Sequence, residues 1–270
     1  MSFVTDESIA PGVLGREVES RGFESLFVPE HTHIPLARTT GPGGTPLSRE
    51  YFRTVDPFVT LAAAAATTSR LRLATGIALV PQRDPITLAK QVASLDHVSG
   101  GRFELGIGAG WNEPEIANHG TDPRRRFAVM RERVLAMKQI WGNEVAEFHG
   151  EHVDFGPIYS WPKPVQRPNP PILLGGWAKT TFSRLLDYAD GWMAPPSDIA
   201  LIAEGIRELR ALAAEQNRPE PPVTVTLNRA DRAEAERAIE LGVRRVVFLL
   251  DSKGHDETLR RLDELTPLIA

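Results

Sequence analysis

The sequence predicts an α/β protein built as a (β/α)8 TIM barrel, and three observations point to it. Short apolar or β-branched runs of strand length recur from end to end. Stretches of helix length lie between them. The length of 270 residues suits a fold that typically occupies about 250, so residues 1–270 are read as one domain. Strands buried on both faces look like these runs, because helices cover each side of a parallel sheet. An open doubly wound sheet is the competing architecture.

The elements follow in order. Only Ser2, Phe3 and Val4 are available for a first strand, which is therefore short or truncated. A helix over 13–20 ends at Gly22, and Ser25–Val28 forms the second strand. A long loop, 32–55, follows and contains Gly41-Pro42-Gly43-Gly44. A loop this long is a substrate lid or a plain surface excursion. Asp56-Pro57 caps an Ala-rich helix to Thr68, with Pro where a missing N–H costs nothing. The third strand lies within 71–80. Asp84-Pro85 opens a helix over 87–98, and the fourth strand is 103–107. Asp122-Pro123 repeats the device before a helix over 124–141. The alternating run from Glu147 to Val153 turns at Gly150, a small hairpin inserted before the fifth strand. Prolines at 162, 164, 168, 170 and 171 then extend the chain into that strand. Strands at 171–174, 191–194, 223–227 and 243–250 complete the set, with helices opened by Asp198, Asp231 and Asp256.

Composition narrows the chemistry. With 31 basic and 35 acidic residues, the net charge of −4 sets up no field for nucleic acid or an anionic membrane. The Arg124-Arg125-Arg126 cluster reads as a solvated helix face. No apolar run approaches the ~18 residues of a membrane helix. Asp6 and Glu7 precede the first Arg, which is no signal peptide, and a cytoplasmic protein is expected. The absence of Cys removes disulfides, thiolate metal sites and a thiol nucleophile. No Ser stands in a G-x-S-x-G elbow. His31 and His33 form an H-x-H pair at a strand end, but a metal needs further ligands. Asp251 offers one. Gly175-Gly176-Trp177 and Ala194-Pro195-Pro196 offer none, so no metal site is expected. The remaining histidines, 97, 119, 149, 152 and 255, read as surface or capping residues.

Two glycine groups stand where strands end. Gly106, Gly108 and Gly110 fail the G-x-G-x-x-G pattern, because Trp111 occupies the third glycine position. They allow either a close approach of a flat ligand or phosphate to the backbone, or merely a tight strand-to-helix turn. Gly175-Gly176 precedes a helix, where backbone N–H groups can bind an anion.

Several blocks together resemble a known family. The run from Gly101 to Trp111 (GRFELGIGAGW) is similar to the central signature of bacterial luciferase-like monooxygenases and their deazaflavin-dependent relatives. ESRGFESLFVPEH from Glu19 to His31, PKPVQ from Pro162, PILLGG from Pro171 and DGW from Asp190 agree in order. The likeness is nearest to probable F420-dependent oxidoreductases of actinobacterial type. It implies a barrel that binds coenzyme F420 or FMN at its carboxyl face and moves a hydride to or from the ring. It implies that Glu30 and His31 form the acid–His pair beside the reactive carbon, with His31 as general acid or base. It places a bulge with a non-prolyl cis peptide at Gly76-Ile77, behind the ring. It assigns Ala109, Gly110, Gly175 and Gly176 to the cofactor's tail or phosphate.

One departure matters. Deazaflavin sugar-phosphate dehydrogenases carry a catalytic carboxylate just after these glycines, where this chain has Trp111. Trp111, with His33 and Trp177, is expected to wall the pocket of a small-molecule substrate instead. The leading expectation is an F420-dependent oxidoreductase. An FMN-dependent monooxygenase using reduced flavin and O2 is the alternative, and a barrel that binds cofactor without turnover is the second. A homodimer is expected from the relatives.

Overall fold

The computed structural model describes residues 1–178 and 180–269. In chain order the first half comprises α1 (Pro11–Ser20), β1 (Ser25–Val28), α2 (Pro57–Ala65), β2 (Arg72–Thr75), β3 (Ala78–Leu79), α3 (Pro85–Val98), β4 (Phe103–Gly108), α4 (Glu113–Asn118) and α5 (Arg126–Gly142). The second half comprises β5 (Val145–His149), β6 (Asp154–Tyr159), β7 (Ile172–Gly175), α6 (Thr181–Tyr188), β8 (Gly191–Ala194), α7 (Ile199–Glu215), β9 (Val223–Leu227), α8 (Arg232–Glu240), β10 (Arg245–Phe248) and α9 (His255–Leu265). A curled parallel sheet runs β1-β2-β4-β7-β8-β9-β10, with β3 beside β4. This is the α/β barrel architecture that the sequence predicts. The inserted hairpin is β5–β6, an antiparallel pair outside the wall.

Side chains alternate along every strand, so each one serves two cores. Leu26 and Val28, Leu73, Leu105 and Ile107, and Leu174 pack outward into the cluster shared with the helices. Phe27, Ala74, Leu173, Met193 and Val247 point inward as a separate buried group. Toward the amino ends of the strands the interior is ionic. Arg245 donates to Glu104 at 2.7 Å and to Glu24 at 2.6 Å, and Arg72 donates to Glu104 at 2.5 Å. Burial opposes ionisation of Glu104, but the hydrogen bonds and charges of Arg245 and Arg72 hold its carboxyl below the usual carboxylate range.

The helix caps divide. Asp56 accepts from the N–H groups of Phe58 and Val59, Asp84 from Thr87 and Asp231 from Glu234, as their sequences predict. Asp122 does not cap a helix. It bonds the Arg124 N–H within a turn, and α5 starts only at Arg126. The expected first strand is also corrected. Met1 and Ser2 span the seam between β1 and β10, where Ser2 N–H donates to Phe27 O at 2.9 Å and Leu250 N–H to Met1 O at 2.8 Å. Val4 and Thr5 leave the wall and pair with Val55 and Thr54 of the long loop. On the amino side of this seam a cavity of about 650 Å³ lies between the edges of β1 and β10 and helices α8 and α9. Among the described residues, no helix is long and apolar enough to cross a membrane.

Candidate active site

Glu30 and His31 follow β1 at the carboxyl face, and the alternation of extended chain sends them to different neighbours. The Glu30 carboxylate is buried, and both oxygens are occupied. One accepts the Leu79 N–H at 2.6 Å, and the other takes the guanidinium of Arg83, whose Nε lies at 2.7 Å. Arg83 also binds Asp56 at 2.6 Å. Glu30 therefore ties the β3 segment to the cap of α2, and neither oxygen is left for a reacting group.

His31 is buried as well. Its Nδ1 meets Glu115 Oε2 at 2.9 Å, and Glu115 is only 1% exposed. The other Glu115 oxygen accepts the Thr32 N–H at 3.2 Å. A carboxylate on Nδ1 fixes the ring with Nδ1–H donating, which leaves Nε2 as the exchangeable nitrogen. Nε2 has no hydrogen-bond partner among the described residues. Glu115 lies on α4, to which the sequence reading assigns no element, and nothing local marks it as the partner of His31.

The bulge between β2 and β3 holds the floor. The Gly76–Ile77 peptide is cis, and the Gly76 N–H donates to Val28 O at 2.7 Å. Ile77 turns into the barrel, and the inward-facing glycines of β4 and β7 receive it. A Cβ on Gly108 would lie 1.9 Å from Ile77 Cδ1, one on Gly175 3.1 Å from Ile77 Cγ2, and one on Gly106 2.0 Å from the Thr75 carbonyl oxygen. Internal packing of the bulge thus accounts for these three glycines, an option beyond the ligand and the tight turn that their spacing suggests. Gly110 has φ +81 and abuts Ile116. Gly176 differs. Its φ is +121, and a Cβ there would meet nothing nearer than Thr181 Oγ1 at 3.9 Å. Its carbonyl is held by Trp192 Nε1 at 3.1 Å, while the N–H groups of Gly176 and Trp177 have no acceptor among the described residues.

The 32–55 loop folds back as a roof. Tyr51, on a 3-10 turn over Arg49–Phe52, lies 5.3 Å from the His31 ring and 4.7 Å from Phe3. Burial pushes the Tyr51 phenol above its ordinary pKa of 10.0, so it stays protonated at neutral pH. Trp111 meets His31 edge-on at 5.5 Å. His33 stands beside this wall and not in it, bonded to Thr32 and Asn118 and 5.4 Å from the His119 ring. Burial, and then the nearby His33, lower the pKa of His119 below the usual imidazole value. Trp177 packs on Trp192 at 5.1 Å and against Gly205 of α7, and it makes no aromatic contact with the His31 group. Of the three expected pocket residues, only Trp111 is in contact with His31.

The model of the luciferase-like monooxygenase family matches residues 13–264. The chain belongs to that family. An uncharacterized protein of Mycobacterium tuberculosis is 42% identical over 275 residues, covering 99% of this chain and 96% of the relative. Among solved structures, an F420-dependent secondary alcohol dehydrogenase in complex with an F420–acetone adduct superposes with a TM-score of 0.78 at 16% identity. It covers 100% of this chain and 98% of the other. The oxygenating constituent of 3,6-diketocamphane monooxygenase of Pseudomonas putida, in complex with FMN, superposes at 0.67 and 20% identity, covering 85% and 64%. This luciferase-like chain thus shares its fold with enzymes of both cofactor types. Its own carboxyl face carries N–H groups at Gly176 and Trp177 that have no acceptor among the described residues, an open side at Gly176, and a buried histidine at the end of β1, a set compatible with an anionic ligand.

Proposed function

We propose that the chain is an F420-dependent oxidoreductase in which His31 carries the proton that accompanies hydride transfer to or from a small organic substrate. One observation carries this reading: a buried imidazole locked at Nδ1 by Glu115 and unpartnered at Nε2, at the carboxyl face of the barrel. When bound, the deazaflavin supplies a two-electron hydride acceptor or donor. Gly76 and Ile77 would back its ring, and Ala109, Gly110, Gly175 and Gly176 would hold its tail through main-chain N–H groups. For an alcohol substrate, His31 Nε2 takes the hydroxyl proton as the C–H bond is oxidised, and in reverse it returns that proton to the carbonyl oxygen. Glu115 stabilises the imidazolium formed meanwhile. Glu30 is a positioning residue that holds Leu79 and hence the bulge. The phenol of Tyr51 and the indole of Trp111 exclude water from the imidazole.

The same floor and histidine would serve an FMN-dependent monooxygenase, so binding decides between them. Titration of the purified chain with F420 and with FMN, each oxidised and reduced, should give at least about tenfold tighter binding for F420. Saturable binding of FMN alone overturns the proposal.

A further inference from the structure

Three arginines lie in the 32–55 roof, and two of them are neutralised within the chain. Arg49 pairs with Glu7, and Arg53 pairs with Asp6. The third, Arg38, makes no side-chain hydrogen bond or ion pair among the described residues. Its guanidinium instead stacks on Trp111, with Cζ 5.3 Å from the ring centroid. Trp111 is the residue that meets His31. The position of Arg38 is built and not incidental. Its N–H donates to Pro35 O at 3.0 Å, and the fully buried Asn112 donates from Nδ2 to its carbonyl at 3.3 Å. The acidic groups of the site are taken. Glu115 is bound to His31 and the Thr32 N–H, and Glu30 to Arg83 and Leu79.

We infer that Arg38 is a specificity residue and that the substrate is a small organic carboxylate. A guanidinium presents paired N–H donors that match a carboxylate in two parallel hydrogen bonds. With the carboxylate at Arg38, an apolar body lies along Trp111 and Tyr51, and the far end reaches His31. The aromatic wall accepts a planar or unsaturated body, and Arg38 is the one arginine of the 32–55 segment left without a carboxylate partner among the described residues. The inference takes the His31 site as the place of binding and deepens the function proposed above. Its test does not need the cofactor.

Benzoate and its neutral counterpart benzamide serve as probes of the cofactor-free protein, read by tryptophan fluorescence and by the melting midpoint. A second pair, hexanoate and hexanamide, covers an aliphatic body. At least one acid should bind saturably and at least about tenfold more tightly than its amide. Arg38→Gln should erase that preference, and Arg38→Lys should restore part of it. Neither change should alter F420 or FMN affinity, and circular dichroism should confirm the fold of both variants. Equal binding of acid and amide, or no saturable binding by either acid, overturns the inference. So does an acid preference that survives Arg38→Gln. If Arg38→Gln weakens the cofactor and not the acid, the guanidinium serves the cofactor's anionic tail and the inference fails. Failure of the chain to bind F420 would overturn the functional proposal and leave the acid preference standing.

Discussion

Replacing Gly108 by Ala tests the packing account of the glycine-rich strand end. The added Cβ would lie 1.9 Å from Ile77 Cδ1. Two carbons in contact need about 3.5–4.0 Å, so Ile77 must move by roughly 1.5–2 Å. Overpacking of this kind costs about 1–3 kcal/mol. In a chain of this size that lowers the melting midpoint by several degrees, at about 2–4 °C per kcal/mol. Ile77→Ala alone trims a half-buried side chain and should cost about 1–2 kcal/mol. Combining the two changes removes the clash, because the space vacated at 77 receives the new methyl. The double variant should match Ile77→Ala alone, a coupling of about 1–3 kcal/mol in favour of the pair. Thermal and urea unfolding of the four proteins completes the cycle. Additive losses, within about 0.5 kcal/mol, would refute the reasoning and return these glycines to a turn or ligand role.

Other outcomes follow from the same geometry. His31→Ala should slow hydride transfer by about 10²-fold or more while cofactor affinity holds, and unchanged single-turnover rates would remove the assigned role. Gly176→Asp should weaken F420 or FMN binding, because a carboxylate would face the free N–H groups; equal affinity would place the anion site elsewhere. Arg83→Met leaves the Glu30 carboxylate buried without its charge partner, at a cost of about 3–5 kcal/mol in urea unfolding, and a loss below about 1 kcal/mol would contradict the burial described. The folded-state pKa of His119 lies below its ordinary 6.5, from burial first and His33 second. Its contribution is therefore complete above pH 6.5 and is lost as the pH falls below 6.5 and through the lower folded-state pKa. His119→Gln should flatten the decline in melting midpoint between pH 7.5 and 5.5, and parallel profiles would show that the decline arises elsewhere.

The barrel was legible because its signals are local. Apolar runs at 103–107 and 191–194, and the Asp-Pro pairs at 56–57 and 84–85, each state their element within a few residues. Asp122-Pro123 carries the same local signal without a helix behind it, since α5 begins later, at Arg126. His31 could be read from its place at a strand end. Its partner could not, because Glu115 is 84 residues away and the two meet only when β1 and β4 stand in one wall. The family resemblance pairs Glu30 with His31, yet neighbours on an extended chain point apart, and the Glu30 carboxylate joins Arg83. Gly108 is explained by Ile77 and Gly106 by the Thr75 carbonyl, both at another strand end whose inward turn no spacing rule discloses.

The keyed floor and the folded roof divide the tasks of evolving a new specificity. Changes among Gly108, Gly175 and Ile77 must be made together, since each shape presupposes another, and Gly106 is held by the Thr75 carbonyl itself. The roof imposes no such condition: Arg38, Tyr51 and their neighbours come from one contiguous segment, anchored at its far end by the Arg49–Glu7 and Arg53–Asp6 pairs. A library confined to 34–47 would therefore vary what the protein accepts while leaving the histidine, its glutamate and the bulge in register. A search for altered substrate range should begin in that segment, and the strand-end glycines are the positions to hold constant.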